Sequence, residues 1–255
     1  MFSSRLWHDL RTYYRGCRGR DLQEFYDLES RLPYFDHVGH ILGAHKRRIL
    51  LAWMRDVRVH GPILELGSGI GTFARQLAKQ AYHVAAVDIS SAKTRKGQLM
   101  TARQWGDAPA PVQHFVGDLR QIGTGTALDG ALRQGYGWST LPAFEVVLAA
   151  DILEHIPDAP EETLRHIHQL MAPHGRLFAS VPSWLCRHDP GHFWTLLPQD
   201  WERLFTASGF YIQRQRMSRI CWYGLPTPLP LAMVYELRPG VQSDTQASRQ
   251  EVVTA

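Results

Sequence analysis

The 255-residue chain contains no asparagine, and its 28 basic side chains are 24 arginines and only 4 lysines. Without asparagine there is no N-glycosylation acceptor, no asparagine-dependent kinase loop and no Cys/His/Asn protease triad. Cysteine is scarce as well. Cys17, Cys186 and Cys221 stand far apart with no Cys-x-x-Cys spacing. That argues against a disulfide scaffold or a cysteine zinc site and for a reducing, cytoplasmic setting. No apolar run approaches the roughly 20 residues of a membrane helix, and the longest candidate, Ile220 to Tyr235, is broken by Pro226, Pro228 and Pro230. The opening residues MFSSRLWHDLRTYYR lack the apolar core of a secretory signal. Nor is one sign of charge in large excess: a net +4 permits nucleic-acid or anionic-lipid contact without demanding either.

What is present is a change of pattern near residue 60. Residues 1–60 read as helical, with Leu22, Phe25, Tyr26 and Leu28, then Ile41, Ile49, Leu50, Trp53 and Met54, at helical spacing. From residue 62, short apolar runs alternate with amphipathic stretches, which predicts repeated βα units, an α/β fold and a parallel sheet. Strands are predicted at Ile63–Leu66, His83–Val87, Val112–Val116, Phe144–Ala150 and Arg176–Val181, with late strands near Phe210–Met217 and Ala232–Leu237. Ser90 or Ser91 is placed to cap the helix after the second strand. Asp158-Ala-Pro-Glu161 reads as a capping box for a helix that Gly175 ends, and a further helix is expected over Pro198–Ala207. The segment 122–142 holds five glycines without clear periodicity and reads as a loop insertion. The expected organisation is a helical extension over 1–60, a main domain over 61–238 and a disordered polar tail over 239–255.

The strongest motif is Glu65-Leu-Gly67-Ser-Gly69-Ile-Gly71, between a predicted strand and a predicted helix. Glycines tighten the turn and admit a ligand to the backbone, and the helix start offers unpaired amides. Asp88 ends the next strand 21 residues after Gly67, where a ribose diol is gripped, and Asp118 ends the third strand. A dinucleotide fingerprint requires G-x-G-x-x-G, whereas the spacing here is G-x-G-x-G. Glu65 sharpens the distinction, because a carboxylate at the strand end repels a pyrophosphate and suits an ammonium or sulfonium.

Through ELGSGIG, VDIS, VGD, AADILEHIPD and the GRLFASVP strand, the chain resembles class I S-adenosylmethionine-dependent methyltransferases from Ile63 to about Leu237. Asp-Ile-Leu-Glu-His-Ile is similar to the small-molecule branch that includes the ubiquinone-biosynthesis O-methyltransferases. The resemblance implies a Rossmann-like seven-stranded, mostly parallel sheet with helices on both faces and an antiparallel last strand. It implies S-adenosylmethionine as cofactor, with Gly67, Gly69 and Gly71 beneath its methionine part and Glu65 toward its ammonium. Asp88 is implied at the ribose, Ile89 at the adenine, Asp118 and Leu119 at the adenine edge, and Asp151 at the methionine end. A family arginine about 20 residues before the first glycine falls on Arg47, beside Arg48. The N-terminal helices are expected to cover the active site.

Methyl transfer from a sulfonium is an in-line displacement dominated by positioning, and a base is needed only if the acceptor must lose a proton. His155, after the fourth strand, is the candidate base. Asp151, Glu154 and His155 also resemble that branch's carboxylate-x-x-Glu-His metal set, but Asp replaces the usual Glu and no metal is assigned. His188 and His192 are separated by Pro190 and Gly191, which rules out one helical face. His192 and Trp194 are expected in the substrate pocket. The function expected is methylation, at oxygen, of a small or lipid-like metabolite, with nucleic acid not expected as partner. The missing asparagine supports this by removing the Asn-Pro-Pro-Tyr loop of amino-methyltransferases. Two alternatives stand: an RNA or protein methyltransferase docking through its N-terminal helices, and a cofactor-binding partner protein without turnover. Residues 1–60 hold 11 Arg/Lys against 7 Asp/Glu, too mixed for a phosphate-binding stripe.

Overall fold

A computed structural model describes residues 22–30, 43–55, 57–106, 108–185, 192–222 and 225–240. The stretches 1–21 and 31–42 of the expected helical extension, His188, and the expected tail beyond residue 240 lie outside the described residues. Among the described residues two helices precede the sheet, α1 (Leu22–Glu29) and α2 (Ala44–Met54). Then follow β1 (Ile63–Leu66), α3 (Thr72–Ala78), β2 (Val84–Asp88), α4 (Ser91–Trp105) and β3 (Val112–Val116). The second half holds α5 (Ala127–Tyr136), β4 (Phe144–Ala150), α6 (Pro160–Leu170), β5 (Met171–Pro182), α7 (Pro198–Ala207), β6 (Phe210–Trp222) and β7 (Leu225–Pro239).

The seven strands form one sheet in the order β3-β2-β1-β4-β5-β7-β6. All neighbours from β3 to β5 pair in parallel, and β7 runs antiparallel to both β5 and β6. The inner strands read as continuous apolar runs because helices cover both faces: every residue of β1 and β2 is buried. Leu66, Val87, Val147 and Leu177 pack on one face, Ile63, Ala86, Leu148 and Phe178 on the other. The change of direction between β1 and β4, neighbours in space but far apart in sequence, puts a crevice beyond their carboxyl ends, where open α/β sheets bind ligands.

Several local expectations are corrected. The segment 122–142 is not a loop: Ala127–Tyr136 is a helix that buries Leu128 and Leu132, one turn apart. Asp129, buried in that helix, accepts from the Gly123 and Gly125 amides, each at 2.7 Å. Gly135 is a close approach, since a Cβ there would lie 2.9 Å from the Phe115 ring. The glycines therefore fit the helix against β3 and do not dissolve it. The Asp158 capping box does not form either. Ala159 occupies the cap position with Pro160 starting α6, and Asp158 pairs with Arg120 instead. The helix ends at Leu170, and β5 begins at Met171, with Gly175 inside the strand at an irregularity between Phe144 and Val146. β6 and β7 are both longer than the alternation suggested.

Phe178 sits in a central strand with no exposed surface. Phe178→Ala should cost about 3–5 kcal/mol, read as a lower denaturant midpoint with unchanged slope in an unfolding titration; a loss below 1 kcal/mol would contradict the packing.

Candidate active site

The glycine turn between β1 and α3 is left-handed at Gly67 (φ 66°), Gly69 (φ 55°) and Gly71 (φ 69°). A Cβ on Gly67 would come within 2.6 Å of the Ile152 side chain, whereas one on Gly69 would meet nothing within 4 Å. Gly67 is thus needed for packing, and Gly69 keeps the backbone open to the crevice. Asp88 fixes this turn. One of its carboxylate oxygens accepts from the Gly69 amide at 2.6 Å and the other from the Ser90 amide at 2.8 Å. Burial pushes the Asp88 carboxyl above the usual range, against the pull of Lys93 and the two amides. Ser90 caps α4 by accepting from the Lys93 amide at 3.1 Å.

Glu65 lies beneath the turn, 5% exposed, and its Oε2 has no hydrogen-bond partner. Burial drives its carboxyl up to about 8, reinforced by Asp88 and opposed by the Ala74 amide and Arg75. A buried carboxylate oxygen without a donor is an acceptor waiting for a cation.

One cavity collects Gly67, Gly69, Asp88, Ile89, Asp118, Leu119, Asp151 and His155. Glu65, Gly71, Arg47, His192 and Trp194 are not on its wall. Asp118 begins a short 3-10 turn (Leu119–Gln121), and its carboxylate is gripped by the Arg120 guanidinium, with Nε 2.9 and 2.8 Å from the two oxygens. Asp151 closes β4 in a left-handed conformation (φ 55°). Its amide donates to Ser180 Oγ at 3.0 Å, and that hydroxyl donates to Asp151 Oδ1 at 2.8 Å.

The basic residue of α2 that reaches the site is Lys46, buried and ion-paired with Asp151. Arg47 lies off the cavity, its guanidinium held below the ordinary value by burial and by Arg48 while Cys221 opposes, and Arg48 donates to Cys221 Sγ at 3.3 Å. Each helical step turns about 100°, so a count along the chain that is one residue off selects a different face. Trp194 has a structural contact of its own. Its indole donates to the Ile156 and Asp158 carbonyls at 2.8 and 3.1 Å, which staples the loop after β5 onto the segment after β4.

On the other side of the cavity a second 3-10 turn, Leu153–His155, presents His155. Its ring lies edge to face with His192 at 4.8 Å and with Tyr26 at 6.2 Å. Buried Glu154 places Oε1 4.0 Å from His192 Nε2. Ligand atoms of Glu154, His155 and His192 lie within 4.8 Å of one another, so the set that converges is not Asp151, Glu154 and His155. The sequence reading missed four contributors: Tyr26, Asp27, Lys46 and Arg120. Leu22, Tyr26 and Glu29 of α1 line the cavity. α1 is held by Asp27, whose carboxylate accepts from Ser90 Oγ (2.5 Å), Ser91 Oγ (2.9 Å) and the Ala92 amide (2.9 Å), and by Glu29 pairing with Lys93. Adjacent small polar residues at the start of α4 were the available signal.

A methyltransferase-domain family model matches residues 39–215, more than two thirds of the chain. The chain belongs to that family. Its enzyme class is that of the class I S-adenosylmethionine-dependent methyltransferases. Magnesium protoporphyrin IX methyltransferase from Synechocystis, solved with bound SAH, shares the fold at 17% identity and a TM-score of 0.63, covering 90% of this chain and all of that one. The 1,6-didemethyltoxoflavin-N1-methyltransferase of Burkholderia thailandensis is similar at 18% identity and TM-score 0.56, covering 92% and 87% of the two chains. The glycopeptide N-methyltransferase MtfA aligns at 17% identity and TM-score 0.56, over 77% and 94%. No curated protein sequence matches the chain.

Burial raises the Asp27 carboxyl, but the Ser90, Ala92 and Ser91 hydrogen bonds and Lys93 outweigh it and hold it below its ordinary value. The latch is therefore fully present above the ordinary carboxylate range and is lost as pH falls through the depressed value. Asp27→Ala should raise hydrogen exchange at the Ala92 amide and in α1 at neutral pH, with the β-strand amides unchanged. Equal α1 exchange in both proteins would show that Asp27 does not hold the helix.

Proposed function

We propose that the protein transfers the methyl group of S-adenosylmethionine to a small or lipid-like acceptor, at oxygen. The observation that carries the cofactor half is Glu65: a buried carboxylate oxygen without a donor, directly beneath an open glycine turn. The donor set suits the cofactor. Glu65 takes the ammonium and Gly67 and Gly69 leave room along the methionine part. Asp88 keeps lone pairs for the ribose diol, and Ile89 and Leu119 supply apolar contact for the adenine. Bound there, the cofactor supplies an activated methyl on a departing sulfonium. The chain's own residues position the acceptor, exclude water and handle its proton. α1 with Tyr26 lies across the cavity, and a closed wall strengthens every charge contact within.

His155 faces the same cavity and takes the acceptor's hydroxyl proton, with His192 against its ring and Glu154 behind His192. An oxygen acceptor is favoured because such a base is useful to a hydroxyl and superfluous to an amine already carrying a lone pair. A second reading rests on the convergence of Glu154, His155 and His192, which would hold a divalent cation whose charge would lower the acceptor hydroxyl's pKa. The reading that docks RNA or protein through the N-terminal helices loses support from the described part of α2, where Lys46 turns inward to Asp151.

Two variants and a chelator test this. Folded Glu65 keeps its proton up to about pH 8, whereas the unfolded chain releases it near 4.5; folding takes up a proton in that window, and stability falls as pH rises across it. Glu65→Gln should therefore stabilise the cofactor-free protein at pH 8 while weakening S-adenosylmethionine at least about tenfold by calorimetry. Unchanged affinity would end the assignment of Glu65. His155→Gln should cut transfer of labelled methyl into a metabolite extract by about 10²-fold or more with cofactor affinity retained. Full turnover in the variant from pH 6 to 9 would remove His155 as base, and loss of wild-type turnover in chelator, restored by added cation, would select the metal reading.

A further inference from the structure

The edge of the sheet carries a feature that methyl transfer does not use. β5 pairs with β7 as far as Pro182 opposite Ala232, and Ser183 extends the join by donating its amide to the Leu231 carbonyl and its hydroxyl to the Pro230 carbonyl, each at 3.0 Å. Beyond that, β6 and β7 continue as a two-stranded ribbon that pairs Cys221 with Pro226 and Trp222 with Leu225. Five residues, 225–229, extend about 17 Å of strand past the carboxyl end of β5. This is the end of the sheet where Asp88 and Asp151 stand.

The described residues next to the turn are mostly apolar and exposed. Leu225 is 72% and Leu229 52% accessible, with Pro226 and Pro228 exposed between them, and Trp184 and Leu185 lie exposed on the segment that Ser183 anchors. An exposed apolar surface at a ribbon tip marks a contact site. Along the chain, the charge flanking it is of one sign. From Arg203 to Tyr235 there is no Asp or Glu, and α2 has none either. Arg48, Arg216 and Arg219 are exposed and gather about His45, which accepts from the Arg219 amide at 3.1 Å. Burial first, and then these three guanidinium groups, hold the His45 imidazole below its ordinary value.

We propose that the β6–β7 ribbon docks on an anionic lipid bilayer, its leucines and prolines entering the headgroup boundary while Arg48, Arg216 and Arg219 face lipid phosphates. Apolar insertion backed by a basic cluster is the chemistry of interfacial membrane binding. The other natural occupant, a second copy of this chain, fits less well. Pro226, Pro228 and Pro230 remove donors that strand-to-strand addition needs, and two arginine clusters repel. The same prolines leave fewer amides to desolvate at a lipid surface. If the methyl-transfer reading holds, the ribbon delivers the site to acceptors that partition into the bilayer. The docking itself does not depend on that reading.

The test is vesicle sedimentation of the full chain, which reads no turnover. Binding to phosphatidylcholine vesicles containing one-third phosphatidylglycerol should exceed binding to phosphatidylcholine alone by about tenfold or more at low salt, and fall as salt rises. A Leu225→Ser/Leu229→Ser variant and an Arg216→Gln/Arg219→Gln variant should each lose about tenfold, with native circular dichroism and unchanged cofactor affinity as controls of folding. Absence of binding, equal binding to both vesicles, or variants that bind like the wild type would overturn the proposal. So would a wild-type dimer in ultracentrifugation that the leucine variant dissociates without any vesicle binding.

Discussion

The Asp88 carboxylate is the join on which the site depends. It ends β2, yet its two hydrogen bonds run to the turn after β1 and to the start of α4. Taking a carboxylate out of water is costly, and two amide donors offset that cost only while they stay in place. One side chain therefore fixes the glycine turn, the helix start and the ribose position relative to one another. The open Gly69 backbone is held by the same bond, so its left-handed conformation is part of a clamped loop and not a free hinge.

The first turn of α4 draws a second carboxylate from the other side. Asp27 accepts from Ser90, Ser91 and Ala92, so a segment more than 60 residues away docks where helix amides and the macrodipole favour negative charge. Two acids near one helix end repel, and the presence of Asp27 does raise the Asp88 carboxyl. Lys93 moderates that repulsion: it lowers both carboxyls, pairs with Glu29 and lies over the Tyr26 ring at 4.8 Å. The covering helix is thus attached mainly by charge and hydrogen bonds, with Phe25 as its buried apolar anchor.

Much of this was legible in the chain. The mostly apolar runs of β1, β2 and β4 follow from burial on both faces, and the glycine turn and the acids at the strand ends follow from the needs of a ligand there. What failed did so where long-range contacts outweighed local signals. Five glycines hid α5, because Gly135 answers to Phe115 across the helix–strand contact and Gly137 to a left-handed helix end. Asp158 left its capping role for Arg120, a partner 38 residues away. Choosing Arg47 over Lys46 required a helix phase that sequence spacing alone does not supply. The approach of His192 to Glu154 and His155 depends on a loop stapled by Trp194, which local pattern does not reveal.

The backbone bend after β4 links the two halves of the chemistry. Asp151 is left-handed without being glycine, a conformation that costs of order 1–3 kcal/mol and persists only where the surroundings enforce it. Here Ser180 binds both its amide and its carboxylate, and Lys46 neutralises its charge. The bend lets Ile152 fill the space above Gly67, where any larger residue would collide, and starts the turn that carries Glu154 and His155. Relaxing Asp151 would move Ile152 off the glycine turn and His155 off the cavity together. The grip on the cofactor and the placement of the base are consequently one mechanical unit, with Lys46 from the N-terminal helix as its brace.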